Sequence, residues 1–260
     1  MENENKGNVQ HQFGKSAASY VNSPIHKEGR DLKKLVEIAD TVGTEELLDI
    51  ATGGGHTANA FASLVKQVTA LDLTKEMLEA AEQFITGNGH QNVKFVSGDA
   101  ESLPFPNQSF DLVTCRIAAH HFPHVQAFIS EVARVLRTNG QFLLDDNVVP
   151  ESDVLDQFYN QLEKMRDYSH FRAWKKSEWI RMLETSGLVI QEWHRFEKTF
   201  QFAPWCDRMN LSPTDKDALT QFLLNSSHEM KQKFEVVIEN DIIQSFKGEA
   251  FVLKATKPSN

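Results

Sequence analysis

The chain of 260 residues is 40% hydrophobic and 24% charged, enough for one large α/β domain or a domain carrying a smaller cap. A net charge of −9, with no run of Lys and Arg interleaved with aromatics, removes the electrostatic footprint of a nucleic-acid binder; two cysteines, Cys115 and Cys206, are too few for a disulfide framework or a Cys-rich zinc site. No stretch approaches the roughly 18 apolar residues of a membrane span, and the polar start lacks a signal-peptide core, so a soluble cytoplasmic protein is expected.

Residues 1–12 are polar and are expected to be a disordered tail, with 13–260 forming a single domain. Phe13 to Val21 reads as a short ordered segment reaching toward that domain. Leu32, Leu35, Val36 and Ala39 recur at helical spacing and predict a first helix ending near Gly43. Strand and helix then alternate. Strands are predicted at Leu47–Ala51, Gln67–Leu73, Val93–Val96, Phe110–Cys115 and Gln141–Asp145, and helices at His56–Val65, Met77–Gly87 and Val125–Leu136. Such alternation implies a doubly wound, mostly parallel sheet with helices on both faces, whose ligands bind at the carboxyl ends of the strands.

After Pro150 the rhythm changes. Helices are predicted at Leu155–Met165, Ser177–Thr185, Pro213–Leu224 and Ser227–Glu239, with a long strand at Leu188–Phe202 and a last one at Glu249–Ala255. The late strands suggest an antiparallel finish to a seven-stranded sheet, and the extra helices a small cap. Residues 13–146 then form a ligand-binding half and 147–260 a half facing a second ligand.

The loop "ATGGGHTA" contains Gly53-x-Gly55-x-x-Ala58, which satisfies the dinucleotide fingerprint, and Asp72 lies 17 residues after Gly55, near the spacing at which an acid binds ribose hydroxyls. A nicotinamide oxidoreductase would explain these features. It would not explain Asp49, four residues before Gly53, or Asp99 after the third strand. A pyrophosphate avoids carboxylates, since like charges repel. Three acids at three strand ends suit an adenosine compound that is cationic or bears an amine.

The ordered set "LLDIATGGGHTA", "VTALDLTKEMLEAA", "VKFVSGDAESLPFPNQSFDLVTCRIAAHHF" and "EVARVLRTNGQFLL" resembles the class I S-adenosylmethionine-dependent methyltransferases, in particular the ubiquinone/menaquinone biosynthesis group, over about residues 13–146. The resemblance implies transfer of a methyl group from S-adenosylmethionine to a small molecule. It implies that Gly53 and Gly55 let the methionine portion and ribose approach, that Asp72 binds the ribose diol, that Asp99 with Ala100 holds adenine, and that Arg116 and Ile117 line the methionine end. Asp49, Ala51, Leu73 and Met77 complete the implied cofactor set. Phe13, Ala17 and Tyr20 form the segment that in similar proteins folds over the cofactor. Ala51 departs from the family's usual glycine, and its methyl group is expected to be tolerated at a negative φ. A protein that binds the cofactor without catalysis, as a sensor or assembly partner, is the alternative from another class.

Methyl transfer from a sulfonium is an in-line displacement, and an oxygen or carbon nucleophile usually needs a general base. "AAHHFPH" offers His121 or His120 for that role or for substrate contact, with packing or helix capping as the plain structural alternative; His26 is a further candidate. His120 and His124 have helical ligand spacing, but Pro123 interrupts the helix and no third ligand is apparent, so no metal is expected. Asp145 and Asp146 occupy the rim of the fifth strand, where Asp145 is a candidate substrate contact and a capping or solvent-facing acid pair is the alternative. The aromatic stripe from Trp193 to Arg208 reads more readily as core than as a pocket. If it is a pocket, Trp205 and Arg208 would suit an aromatic or acidic small molecule.

Overall fold

The computed structural model describes residues 2–14 and 29–259. Its centre is a nine-stranded sheet whose main path runs β3 (Val93–Ser97), β2 (Gln67–Asp72), β1 (Glu46–Ile50), β4 (Phe110–Arg116), β5 (Leu136–Val149), β9 (Ile242–Thr256), β7 (Val189–Gln201). The first five are parallel. The last strand in the chain, β9, runs antiparallel between β5 and β7. Two short strands lie off this path, β6 (Trp174–Lys175) beside β5 and β8 (Val237–Glu239) beside β9. The expected parallel sheet with an antiparallel finish is therefore observed, its seven-stranded path flanked by two small additions.

Because side chains alternate across a strand, Leu47, Leu112, Leu143 and Val252 face one side and Leu48, Val113, Leu144 and Phe251 the other. The first face is covered by α2 (Arg30–Glu37), α3 (His56–Ala62) and α4 (Lys75–Gly87), through Leu35, Phe61 and Ile85. The opposite face is covered by α5 (Val125–Val135) and α7 (Lys176–Thr185), through Phe128, Ile129, Trp179 and Leu183. A third apolar cluster joins α6 (Asp153–Arg166), α8 (Phe202–Asp207), α9 (Pro213–Leu224) and the start of β9, with Tyr159, Trp205, Leu219 and Phe246 at its centre; α10 (His228–Lys233) follows α9. This is the expected cap.

Several boundaries differ from the expectations. Residues 1–12 do not behave as a disordered tail from Glu2 onward: α1 spans Glu2–Gly14. It has no strong apolar face, so periodicity gave no sign of it; polar contacts hold it to the domain. Asn5 donates to the His121 carbonyl at 2.9 Å and Lys6 reaches Asp99 and Glu101, both at 2.6 Å. The segment expected to be helical to Glu239 breaks after Lys233, and Val237–Glu239 forms a hairpin with β9. Phe202 begins a short helix rather than ending a strand. Strands β5 and β9 run to 14 and 15 residues; β5 ends beside β6, and β9 begins beside β8 and the end of β7, along the cap.

Phe251 is fully buried on β9, stacked on Trp193 at 4.4 Å and tilted against Trp179 at 5.7 Å. Truncating it empties the joint between β9 and α7. Phe251→Ala is expected to lower the unfolding free energy by about 3–5 kcal/mol, measured by urea denaturation; a loss below about 1 kcal/mol would show that β9 is not seated in this way.

Candidate functional site

The carboxyl ends of β1, β2 and β4 are tied together by hydrogen bonds that the sequence sets up locally. Asp49, buried at the end of β1, accepts from Thr114 Oγ1 on β4 at 2.7 Å and from Thr52 Oγ1 at 2.6 Å. Burial, only partly offset by these donors, pushes its carboxyl up to about 6. The next link is Asp72, whose two oxygens accept from the backbone N–H of Gly53 at 2.9 Å and of Thr74 at 2.8 Å. Burial outweighs these bonds and raises its pKa. Asp99, after β3, accepts from Glu101 N at 2.9 Å and from Lys6 Nζ.

These ends open into one cleft of about 1030 Å³, counting its mouth. Ala51, Gly53, Asp72, Leu73, Met77, Asp99 and Ala100 line one stretch of it; Arg116, Ile117, His121 and Phe13 line another. All eleven were named from the sequence. Asp49 and Gly55 stand behind the wall. Gly55 has φ +82°, and a Cβ there would lie 2.9 Å from Ile85 Cδ1 and 3.0 Å from Ala81 Cβ. It lets α4 pack against the loop, whereas Gly53, at φ +54° with nothing within 4 Å of a Cβ, faces the cleft. Tyr20, Ala17 and His26 lie outside the described residues.

Ala51 overturns its expectation: its φ is +53°, in the left-handed region, so the methyl group is carried at a cost. Ile117 is also left-handed, at φ +52°, which is rarer for a β-branched residue, and its N–H donates to the Asp145 carbonyl at 2.7 Å. Both strained residues line the cleft.

Asp145, Trp205 and Arg208 do not line the cleft. Trp205 is 1% exposed in the cap, edge-on to Phe246 and under the Arg166 guanidinium at 4.7 Å. The core reading of that stripe is the one that fits its burial. Arg208 follows α8 in the cap, half-buried. Asp145 is fully buried, 3.3 Å from Arg116 Nε, and Arg116 in turn donates to Asp31 at 2.7 Å. Burial first, then the nearby Asp31 charge, drives the Asp145 carboxyl up to about 8 against Arg116 and Lys198.

His120 and His121 form a short turn, Ala119–His121, with ring centroids 4.2 Å apart. Only His121 lines the cleft, where Phe13 meets it edge-on at 5.1 Å. His120 is clamped by Asp146, Nδ1 to Oδ1 at 2.6 Å and backbone N to Oδ2 at 2.9 Å. Burial works against its charge, but Asp146 outweighs burial and raises its pKa. Burial, then the His120 charge, pushes His121 down to about 4. Sequence reading missed Lys6, Thr74 and Glu101 in the wall. The motif "GDAESLPF" marks the place of Glu101, but nothing local marks Lys6.

Two outcomes follow for stability. Ala51→Gly removes the left-handed cost and leaves the core intact, so it is expected to match or exceed the parent by up to about 1 kcal/mol in urea. Asp145 ionises near 3.8 when unfolded and near 8 when folded, so between these values the folded state holds an extra proton and stability falls as pH rises. Asp145→Asn should flatten that decline between pH 4 and 8; an unchanged slope would show that Asp145 is ionised in the fold.

A methyltransferase-domain model matches residues 48–144. The uncharacterized methyltransferase YcgJ of Bacillus subtilis is 39% identical over 94% of this chain and 94% of its own; its crystal structure superposes with a TM-score of 0.86 over 88% and 99%. A presumed methyltransferase of Bacillus halodurans C-125 is 55% identical, with a TM-score of 0.87 over 89% of this chain and 100% of that one. The ubiquinone/menaquinone biosynthesis C-methyltransferase UbiE of a Marinomonas species is 34% identical over 44% of this chain and 47% of its own. By its sequence relatives, its sheet order and the cleft at its strand ends, the chain belongs to the class I methyltransferases.

Proposed function

We propose that the protein transfers the methyl group of S-adenosylmethionine to a small-molecule acceptor by in-line displacement. The observation that carries this reading is the acceptor-rich wall formed by Asp72, Asp99 and Glu101. Counting histidines as neutral, the cleft wall holds these three carboxylates against two cations, Lys6 and Arg116. Both cations are already paired, with Asp99 and Glu101 and with Asp31. A pyrophosphate would meet net negative charge here; a sulfonium with a ribose diol and an adenine amine would meet acceptors.

The residues present fit that cofactor. Each oxygen of Asp72 already accepts one backbone N–H and keeps capacity for a ribose hydroxyl. Asp99 and Ala100 are suited to adenine, with Lys6 competing for Asp99 Oδ2. When bound, the cofactor supplies an electrophilic methyl group on a positively charged sulfur. The chain's own work is to orient the acceptor and exclude water. Phe13 and Val9 of α1 help close the cleft from above the strand ends. Trp205 and Arg208, the residues on which the expectation of an aromatic or acidic acceptor rests, stand in the cap and not in the cleft wall.

Calorimetry with S-adenosylmethionine, S-adenosylhomocysteine and NAD tests the cofactor. Binding of the first two and not of NAD is expected, and Asp72→Ala should weaken S-adenosylhomocysteine binding by roughly tenfold to a hundredfold. NAD binding with silence toward the other two would overturn the reading. Incubation with methyl-labelled cofactor and metabolite extracts should yield a labelled small molecule; binding without any product would favour a sensor.

A further inference from the structure

The turn that follows α6 meets the histidine turn at several points. Phe171 N and Arg172 N both donate to the His120 carbonyl at 2.9 Å. His121 Nδ1 lies 3.0 Å from the Ser169 carbonyl, a pair that requires the proton on Nδ1. Ser169 is fully buried and is itself held by Asp167, whose Oδ1 accepts from Ser169 N at 2.8 Å and Oγ at 2.5 Å. The other Asp167 oxygen lies 4.0 Å from His121 Nε2. Among the described residues Nε2 makes no hydrogen bond, and the histidine lines the cleft. From the other side Asn5 holds the His121 carbonyl. This is the arrangement of a base oriented by a third group.

We propose that Asp167 and Ser169 are positioning residues that keep His121 with Nδ1 protonated and Nε2 free, so that His121 Nε2 takes the proton of a hydroxyl or acidic carbon acceptor during methyl transfer. The inference rests on the methyltransfer reading above and deepens it by naming the acceptor class. In the step, the acceptor oxygen or carbon forms its bond to the methyl carbon as the carbon–sulfur bond breaks. That bond's electron pair stays on sulfur, and the acceptor's proton moves to Nε2. One positive charge leaves sulfur as one appears on the imidazole, so the buried charge is unchanged. Asp167 faces the new imidazolium and offsets the repulsion from His120.

The titratable groups around His121 are His120 in the same turn, Asp146 on β5, and Asp167 and His170 on the turn after α6; α1 contributes the Phe13 ring. Burial and then the neighbouring His120 hold the His121 pKa down to about 4, so its base form is present throughout the neutral range. An amine acceptor that arrives deprotonated has less need of such a base.

Long-range ¹⁵N–¹H spectra of the full chain, with the His121 signals assigned through His121→Gln, read the tautomer without any acceptor. The Nδ1–H tautomer, neutral from pH 5.5 to 8, is expected in the parent and in Asp167→Asn, which still accepts from Ser169. Asp167→Ala should shift the population toward Nε2–H. With the acceptor isolated by methyl labelling, His121→Gln should lower kcat by about a hundredfold or more, and Asp167→Asn by about tenfold, with S-adenosylhomocysteine affinity held within about threefold. An Nε2–H tautomer in the parent, a labelled product methylated on an amine, or an unchanged kcat in His121→Gln would overturn the proposal. Loss of S-adenosylhomocysteine binding by the parent would instead overturn the cofactor reading, and the spectra would still decide the tautomer.

Discussion

A buried carboxylate at the end of β1 sets the geometry of the strand ends. Asp49 holds Thr114 of β4 with one oxygen and Thr52 of the glycine loop with the other. With the loop fixed there, the Gly53 N–H reaches Asp72 at the end of β2, and Asp72 in turn holds Thr74 at the start of α4. Four elements are thus joined by two acids that stay largely out of water. The cost of burying them is offset in part by the donors aimed at them. Ala51 and Ile117, both left-handed, are where this wall passes strain to the backbone.

The cleft divides into two chemistries. Its β1–β3 side is a set of acceptors, Asp72, Asp99 and Glu101, with Lys6 bridging the last two from α1. Its β4–β5 side is a paired histidine system, in which Asp146 makes His120 the favoured cation and burial with that cation keeps His121 neutral. Two neighbouring imidazoles at 4.2 Å do not both carry charge cheaply, and Asp146 decides which one does. The histidine whose pKa is raised is walled off from the cleft, and the one whose pKa is lowered faces it.

The match to the Marinomonas ubiquinone/menaquinone C-methyltransferase covers 44% of the chain, and the match to YcgJ covers 94%. The stretch matched by the methyltransferase-domain model, 48–144, contains the strand ends and the carboxylates Asp72, Asp99 and Glu101. The second half supplies α6, the Asp167–Ser169 turn and the cap, and it is this half that touches the histidines. Trp205 and its aromatic neighbours serve that half as a core, holding α8 against β9.

The sequence by itself determined the parallel sheet, its antiparallel last strand and much of the cleft wall. Helix and strand periods are local, and acids such as Asp72 and Asp99 mark the strand ends from which ligands are held. Even the histidine pair was legible, since His120 and His121 follow β4 directly. What the order of residues could not convey is contact between distant polar groups. Helix α1 has no apolar stripe to announce it and exists against the domain through Asn5 and Lys6. Gly53 and Gly55 look alike as letters, yet one faces the cleft and the other the α4 helix. Asp167 and Ser169 lie some 48 residues from His121 and carry no motif. Only the tertiary structure decided that they meet, because hydrogen bonds between buried groups are fixed by packing, which no local period encodes.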